Sequence, residues 1–307
     1  MKKQYISNTT KMIYTILKES IQGFIDDNAV KLSASLSYYT IFSLPPLLII
    51  VIYFFGIFFG EEAVRGEIFW QINGWVGKQT AIYIQEIIIH VKLSKNNNLA
   101  AIVGVIIFVI GASGVFHEMQ SSIDSILGLK AKPKNGFLKF VKKRLVSFSM
   151  IGSFIFLLLV CLIINTIVDI INKNLISLLP QITRFFYLIN MSIVFVVIML
   201  LFAVIFKLLP DGKIKWKYII AGAFCSTFLF MIGKFAISAY IGISNIASIY
   251  GAAGSVIIIL IWVYYTAMIL YFGAEIVKAY ANYNHSPITP NDFSVKIETG
   301  EIELPKK

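Results

Sequence analysis

Three ionisable residues interrupt stretches of the chain that are otherwise apolar: Asp169, Lys234 and Glu275. A charge within the hydrocarbon of a membrane is costly, so such residues usually face a partner, a cavity or water and often mark a substrate path. Lys234 lies about 13 Å from the predicted outer end of its helix, a depth that favours Asp169 over Glu275 as its partner. The alternative is that Lys234 only reaches back toward the interface.

Glu275, in YFGAEIVKAY, shares its predicted depth with His117, Glu118 and Arg144. These groups predict a polar cluster on the cytoplasmic side, which would either fasten helix ends or contact a substrate. His117 and Glu118 have no further ligand at the next helical turn, so the pattern predicts no metal site.

Hydroxyl groups crowd the stretch SASLSYYTIFSLPP at 33–46. On a helix, Ser33, Ser37 and Thr40 fall within about 60° of one another, and Tyr39 and Ser43 continue that side. They predict a hydroxyl-lined seam on the first membrane helix.

Pro45 and Pro46 end this seam. Neither can donate a backbone hydrogen bond, so the helix must kink or restart, with Ser43 near an N-cap position. The apolar segment 44–59 gives about 24 Å of helix, less than the hydrocarbon thickness of about 30 Å, so the hydroxyl-rich segment must supply the rest. In one interpretation, the hydroxyls satisfy the backbone groups that the prolines leave unpaired, and the kinked helix packs against neighbouring protein. In the other, the broken helix borders a substrate path.

The composition is that of an integral membrane protein. Of the 307 residues, 58% are hydrophobic and 14% are charged, and the mean hydropathy is +0.80. Soluble globular domains carry about a quarter charged residues, so that class is excluded. Both cysteines lie in apolar runs, which predicts buried small side chains rather than a disulfide.

The predicted fold class is all-α, a polytopic bundle of six transmembrane helices. An N-terminal amphipathic helix over 10–25 is expected on the cytoplasmic surface, and a short helical external loop over 60–98. The predicted spans are 36–59, 99–116, 145–170, 185–206, 218–243 and 253–277. The corresponding domains are a cytoplasmic N-terminal segment at 1–35, the transmembrane domain at 36–282 and a flexible cytoplasmic tail at 283–307.

Lysine and arginine are distributed unequally between the two sides of this topology. Twenty lie on the side of the termini and six on the other, so both termini are predicted to be cytoplasmic. Topology also explains the net charge of +11 without nucleic acid as a partner. The densest basic run could in addition bind anionic lipid head groups, and its candidates are Lys139, Lys142, Lys143 and Arg144.

Three stretches together resemble the YihY/virulence factor BrkB family: SASLSYYTIFSLPPLLIIV at 33–51, GASGVFHEMQSSIDSILG at 111–128 and YGAAGSVIIILIWVYYTAMILYFGAEI at 250–276. The resemblance implies a multi-pass protein of the bacterial inner membrane. The positions that match the family motifs are Tyr38, Tyr39, Ser43, Pro46, Gly111, Gly114, Tyr250, Gly251, Gly254, Trp262, Tyr264, Gly273 and Glu275.

The family has also been labelled ribonuclease BN, but no constellation of carboxylates or histidines for cleaving RNA is visible on the predicted cytoplasmic side. We therefore expect a non-enzymatic protein that transports or flips an amphipathic, lipid-like substrate. The substrate-path candidates are Tyr38, Tyr39, Ser43, Pro45, Pro46, Asp169, Lys234, Tyr250 and Glu275.

The alternative function is a structural or regulatory membrane protein without transport activity. No cofactor is expected, because the chain has no nucleotide-binding loop of the GxxxxGK[ST] type. The expected partners are membrane lipids, anionic lipids among them, and a homo-oligomer is compatible with the sequence.

Overall fold

The computed structural model describes residues 2–43, 66, 70, 82, 114–131, 183–243, 254–291 and 294–297. Helices dominate this part of the chain, as the sequence predicts. They are α1 (Lys2–Asp26), α2 (29–43), α3 (114–126), α4 (Thr183–Leu208), α5 (Trp216–Ile243) and α6 (Gly254–Tyr283). Four short strands lie among them: β1 (Leu129–Ala131), β2 (Gly212–Lys213), β3 (Thr289–Pro290) and β4 (Ser294–Lys296).

Three of the described helices contain a segment long and apolar enough to cross a membrane: Met191–Leu208 in α4, Trp216–Ile237 in α5 and Val256–Tyr283 in α6. They correspond to the predicted spans at 185–206, 218–243 and 253–277. Most of the other three predicted spans, and most of the external loop 60–98, lie outside the described residues.

Helices α4, α5 and α6 pack in chain order, and α1 packs on α6. Glycines set the closest approach, because a Cβ at Gly222 of α5 would meet the Gly273 carbonyl of α6 at 2.6 Å. A Cβ at Gly273 would in turn overlap Ser226 and meet the Phe206 ring. Small residues at such crossings let helix backbones approach closely where lipid provides no hydrophobic driving force. The core around this crossing includes the fully buried side chains of Ile123, Ile126, Phe206, Ile219, Tyr271 and Val277.

A short turn joins α1 to α2. Asn28 adopts a left-handed backbone conformation with φ of 52°, which asparagine tolerates better than most residues and which commonly ends a helix. Its carbonyl accepts the N–H of Lys31 at 2.9 Å, at the start of α2. The turn therefore fixes the position of Asp27.

The first part of the predicted flexible tail is structured. Strand β3 pairs with β2, and β4 pairs with β1, both antiparallel. Asp211 anchors the arrangement, because its N–H donates to the buried Asp124 carboxylate at 2.8 Å and its carbonyl accepts the Ser294 hydroxyl. Strands of two or three residues leave no periodic pattern, so the sequence predicts only a polar segment here.

Replacing Asp124 by alanine is expected to weaken the pairing of β3 and β4 with their partner strands. The Asp211 N–H then loses its acceptor, which costs about 1–3 kcal/mol. The change should appear as faster proteolysis between residues 284 and 297. Alanine at the exposed Asp26 is the matched control and should leave proteolysis unchanged. Equal protection in both variants would contradict the role given to Asp124.

Candidate functional site

A buried carboxylate on α6 is the centre of the candidate site. Only 1% of Glu275 is exposed, and its Oε1 atom has no hydrogen-bond partner among the described residues. Buried polar atoms are nearly always paired, so an unpaired carboxylate oxygen is unusual and needs an explanation. Glu275 lies in the last third of α6, two residues after the glycine at the crossing with α5.

One lysine serves two carboxylates at this site. The Nζ of Lys278 lies 2.6 Å from Asp27 Oδ2 and 3.5 Å from Glu275 Oε2. Asp27 and Lys278 are partly exposed, with 25% and 30% of their side chains accessible, whereas Glu275 is enclosed. The two carboxyl groups offer four oxygens to the three N–H donors of Lys278, so the cluster has spare capacity to accept a hydrogen bond.

Helix α1 covers the buried carboxylate. The backbone of Gly23 lies so close to Glu275 that a Cβ there would overlap the carboxylate group. Phe24, the next residue, meets Phe272 edge to face with ring centroids 5.9 Å apart. Ile16, about two turns before Gly23 in α1, is buried against Ile276. Glycine at position 23 is therefore what lets α1 close over Glu275.

Tyr271, one helical turn before Glu275, carries a second buried polar atom. The residue is fully buried, and its hydroxyl, although close to Ser122, forms no hydrogen bond of regular geometry within the described part of the chain. Ser122 and Glu118 of α3 face this hydroxyl. The two unpaired atoms on α6 thus lie between α1 on one side and α3 on the other.

The depth of Glu275 can be read from the aromatic residues beside it. Tyr218, near the start of α5, packs on Tyr280 of α6 with ring centroids 5.1 Å apart, and Trp216 is exposed at the same level. Exposed Trp residues favour the membrane interface. Glu275 lies five residues, or about 7 Å of helix, beyond that level toward the middle of α6.

The predicted hydroxyl seam is present on α2, and its first half faces protein. Ser33 and Ser37 are fully buried and donate to the carbonyls of Ala29 and Ser33, each at 2.7 Å. Thr40 and Ser43 donate to backbone carbonyls one turn earlier at 2.8 and 2.9 Å. Each of these hydroxyls therefore donates within its own helix, and the restart predicted after Ser43 lies outside the described residues.

Tyr38 and Tyr39 lie on the outer side of α2, with 60% and 42% of each residue exposed. Their rings meet edge to face at 5.9 Å. Gly114 of α3 packs against the Tyr39 ring, where an added Cβ would lie 3.2 Å from a ring carbon. The first two motif stretches therefore meet at this contact, away from the Glu275 cluster.

Lys234 is partly buried on α5, next to Gly233, on which the Tyr265 ring of α6 packs. His117 is exposed on α3. Within the described residues, no group of three His, Cys, Asp or Glu side chains could hold a metal ion. The remaining candidates fall outside the described residues: Pro45, Pro46, Asp169, Tyr250, Lys139, Lys142, Lys143 and Arg144.

Asp27 and Gly23 are the site residues that the sequence did not reveal. The sequence predicted that Glu275 shares its depth with His117, Glu118 and Arg144. In the structure, the charged groups in contact with Glu275 and its neighbour are Asp27 and Lys278. Glu275 and Lys278 lie one helical turn apart, and this spacing alone indicates that the two side chains are neighbours. Asp27 could be found only by placing α1 against α6.

A sequence model of the family described as Virulence factor BrkB matches residues 20–294. A UPF0761 membrane protein of Mannheimia succiniciproducens is 23% identical over 259 residues, which cover 82% of this chain and 85% of the relative. UPF0761 membrane proteins of Vibrio cholerae are 32% identical over 85 residues. That match covers 27% of this chain and only 29% of the relative's length. No solved structure matches the chain.

Proposed function

The chain belongs to the virulence factor BrkB family of membrane proteins, and we propose that it transports or flips an amphipathic, lipid-like substrate without chemical change. The observation that carries the proposal is Glu275, an enclosed carboxylate with one unpaired oxygen, about 7 Å inside the level of the interfacial aromatic residues. Carboxylates placed this way in membrane proteins commonly line substrate or ion pathways.

The acceptor oxygens of the cluster favour a head group that donates hydrogen bonds. With one ammonium between two carboxylates, the site offers an acceptor rather than a donor. An amine-bearing, zwitterionic head group such as that of phosphatidylethanolamine can donate to Glu275 Oε1, and its acyl chains can stay in the bilayer. Lys278 has a third N–H beyond those directed at Asp27 and Glu275, which can donate to the phosphate of the same head group.

Helix α1 supplies the gate in this proposal. Gly23 and Phe24 close the site from the side of α1, so a substrate that approaches from this side reaches Glu275 when the contact opens. The surrounding membrane is proposed to be the bacterial inner membrane, with both termini cytoplasmic, where the basic segments face anionic lipid.

Transport can be tested with purified protein in vesicles that contain acyl-labelled phosphatidylethanolamine or phosphatidylglycerol, read by reduction of the label in the outer leaflet. We expect exchange above that of empty vesicles, faster for phosphatidylethanolamine. Glu275→Gln removes the charge but keeps the shape, and should slow exchange by about tenfold.

Ser20→Ala is the matched control. Ser20 is also fully buried, but its hydroxyl only donates to the Ile16 carbonyl of its own helix, so its removal should leave exchange within about twofold. Exchange no faster than in empty vesicles for any native lipid class would refute the proposal and favour a structural or regulatory role.

A further inference from the structure

A second polar site lies in the connection between α4 and α5. A cavity of about 230 Å³ opens between this connection and the segment that follows α6. Lys213, Lys215 and Tyr218 line it from the α4–α5 side and Ser286 from the other. These groups are all hydrogen-bond donors.

The positive charge of this cavity is not neutralised within the described part of the chain. Neither Lys213 nor Lys215 forms an ion pair there. The two neighbouring lysines are committed elsewhere: Lys207 donates to the Ile214 carbonyl at 2.8 Å and lies over Trp216, and Lys217 lies over Tyr280. Two lysines that line a cavity and form no ion pair among the described residues favour an anionic ligand.

The position of the cavity identifies the source of that ligand. It lies between the candidate span that ends at Leu208 and the one that begins at Trp216, which places it at the edge of the bilayer. Trp216, 56% exposed beside it, is typical of head-group depth. Basic pockets between membrane helices at this level commonly bind lipid phosphates.

The fold holds the cavity open without help from a ligand. Pairing of β2 with β3 sets Lys213 opposite Thr289. Gly212 permits this close approach, because a Cβ there would meet Leu129 and Ile288 at 2.7 and 3.0 Å. A site whose walls are already fixed loses less entropy on binding.

We propose that this cavity binds the phosphate group of an anionic glycerophospholipid, with Lys213 and Lys215 as its charge contacts and the Ser286 and Tyr218 hydroxyls as additional donors. The site is separate from the Glu275 cluster and does not depend on the function proposed above. It anchors the α4–α5 connection and the segment after α6 to the surface of the same membrane.

Binding can be measured by native mass spectrometry of the full chain in neutral detergent, titrated with phosphatidylglycerol. The double variant Lys213→Gln/Lys215→Gln is expected to bind roughly 30-fold more weakly than the unsubstituted protein. Lys31→Gln/Lys296→Gln removes two equally exposed lysines elsewhere and should keep the original affinity. Matching thermal unfolding midpoints would show that both variants are folded.

Three results would overturn the proposal. Equal affinity in all three proteins would show that the cavity does not bind the lipid, and an equal loss in both double variants would indicate general charge attraction. A large excess of inorganic phosphate should leave phosphatidylglycerol bound. Its displacement would assign the cavity to a soluble phosphate instead of a lipid.

Discussion

Leucine in place of Gly273 is expected to prevent stable packing of α6 against α4 and α5. A Cβ at this position would already overlap the Ser226 hydroxyl and lie 2.7 Å from the Phe206 ring. Both neighbours are themselves buried, so they have little room to move. Overpacking a close-packed interior costs about 1–3 kcal/mol even for smaller changes, and the whole leucine side chain should cost about 3 kcal/mol or more.

Thermal unfolding in detergent checks this prediction, with Gly66→Leu as the matched control. No described atom lies within 4 Å of a Cβ at Gly66, so leucine there should meet no such overlap, and its higher helix propensity should keep the unfolding midpoint at or above that of the unsubstituted protein. Gly273→Ala should lie between the two. Similar midpoints for the two leucine variants would mean that the helices do not approach as closely as described.

Methionine in place of Lys278 is expected to destabilise the contact between α1 and α6. The change removes the only cation near Glu275 and Asp27 among the described residues, and leaves two neighbouring carboxylates without compensation. Losing one partner of a buried or partly buried charge pair costs about 2–3 kcal/mol. The loss should appear as increased hydrogen exchange in α1 and a lower unfolding midpoint.

A second substitution separates electrostatics from lost packing. In the double variant Lys278→Met/Glu275→Gln the buried negative charge is gone, so stability should recover by at least about 1 kcal/mol relative to Lys278→Met alone. Lys278→Arg keeps the charge and should stay near the unsubstituted protein. Additive losses in the double variant would rule out a charge interaction between the two residues.

The sequence predicted the helices better than their contacts. Apolar runs at 185–206, 218–243 and 253–277 lie within a few residues of the bounds of α4, α5 and α6, because apolar length alone defines such segments. Glu275 was also identified, since an acid in an apolar run is visible without a structure.

The partners of Glu275 could not be predicted in the same way. Asp27 lies far from Glu275 along the chain, and their contact depends on Gly23, which gives α1 its close approach. The apolar residues of α1 suggested a helix on the membrane surface, but one face of α1 is used against α6. Pairing between helices depends on shape at single positions, which hydropathy does not report.

The strand pairing that follows α6 has a consequence for biosynthesis. Strands β1 and β2 precede their partners by more than 75 residues along the chain, so neither can pair until residues 289–296 have left the ribosome. The segments of α4, α5 and α6 are synthesised before that moment, and helices form from local contacts. The two short sheets therefore close only after all three helices have been synthesised.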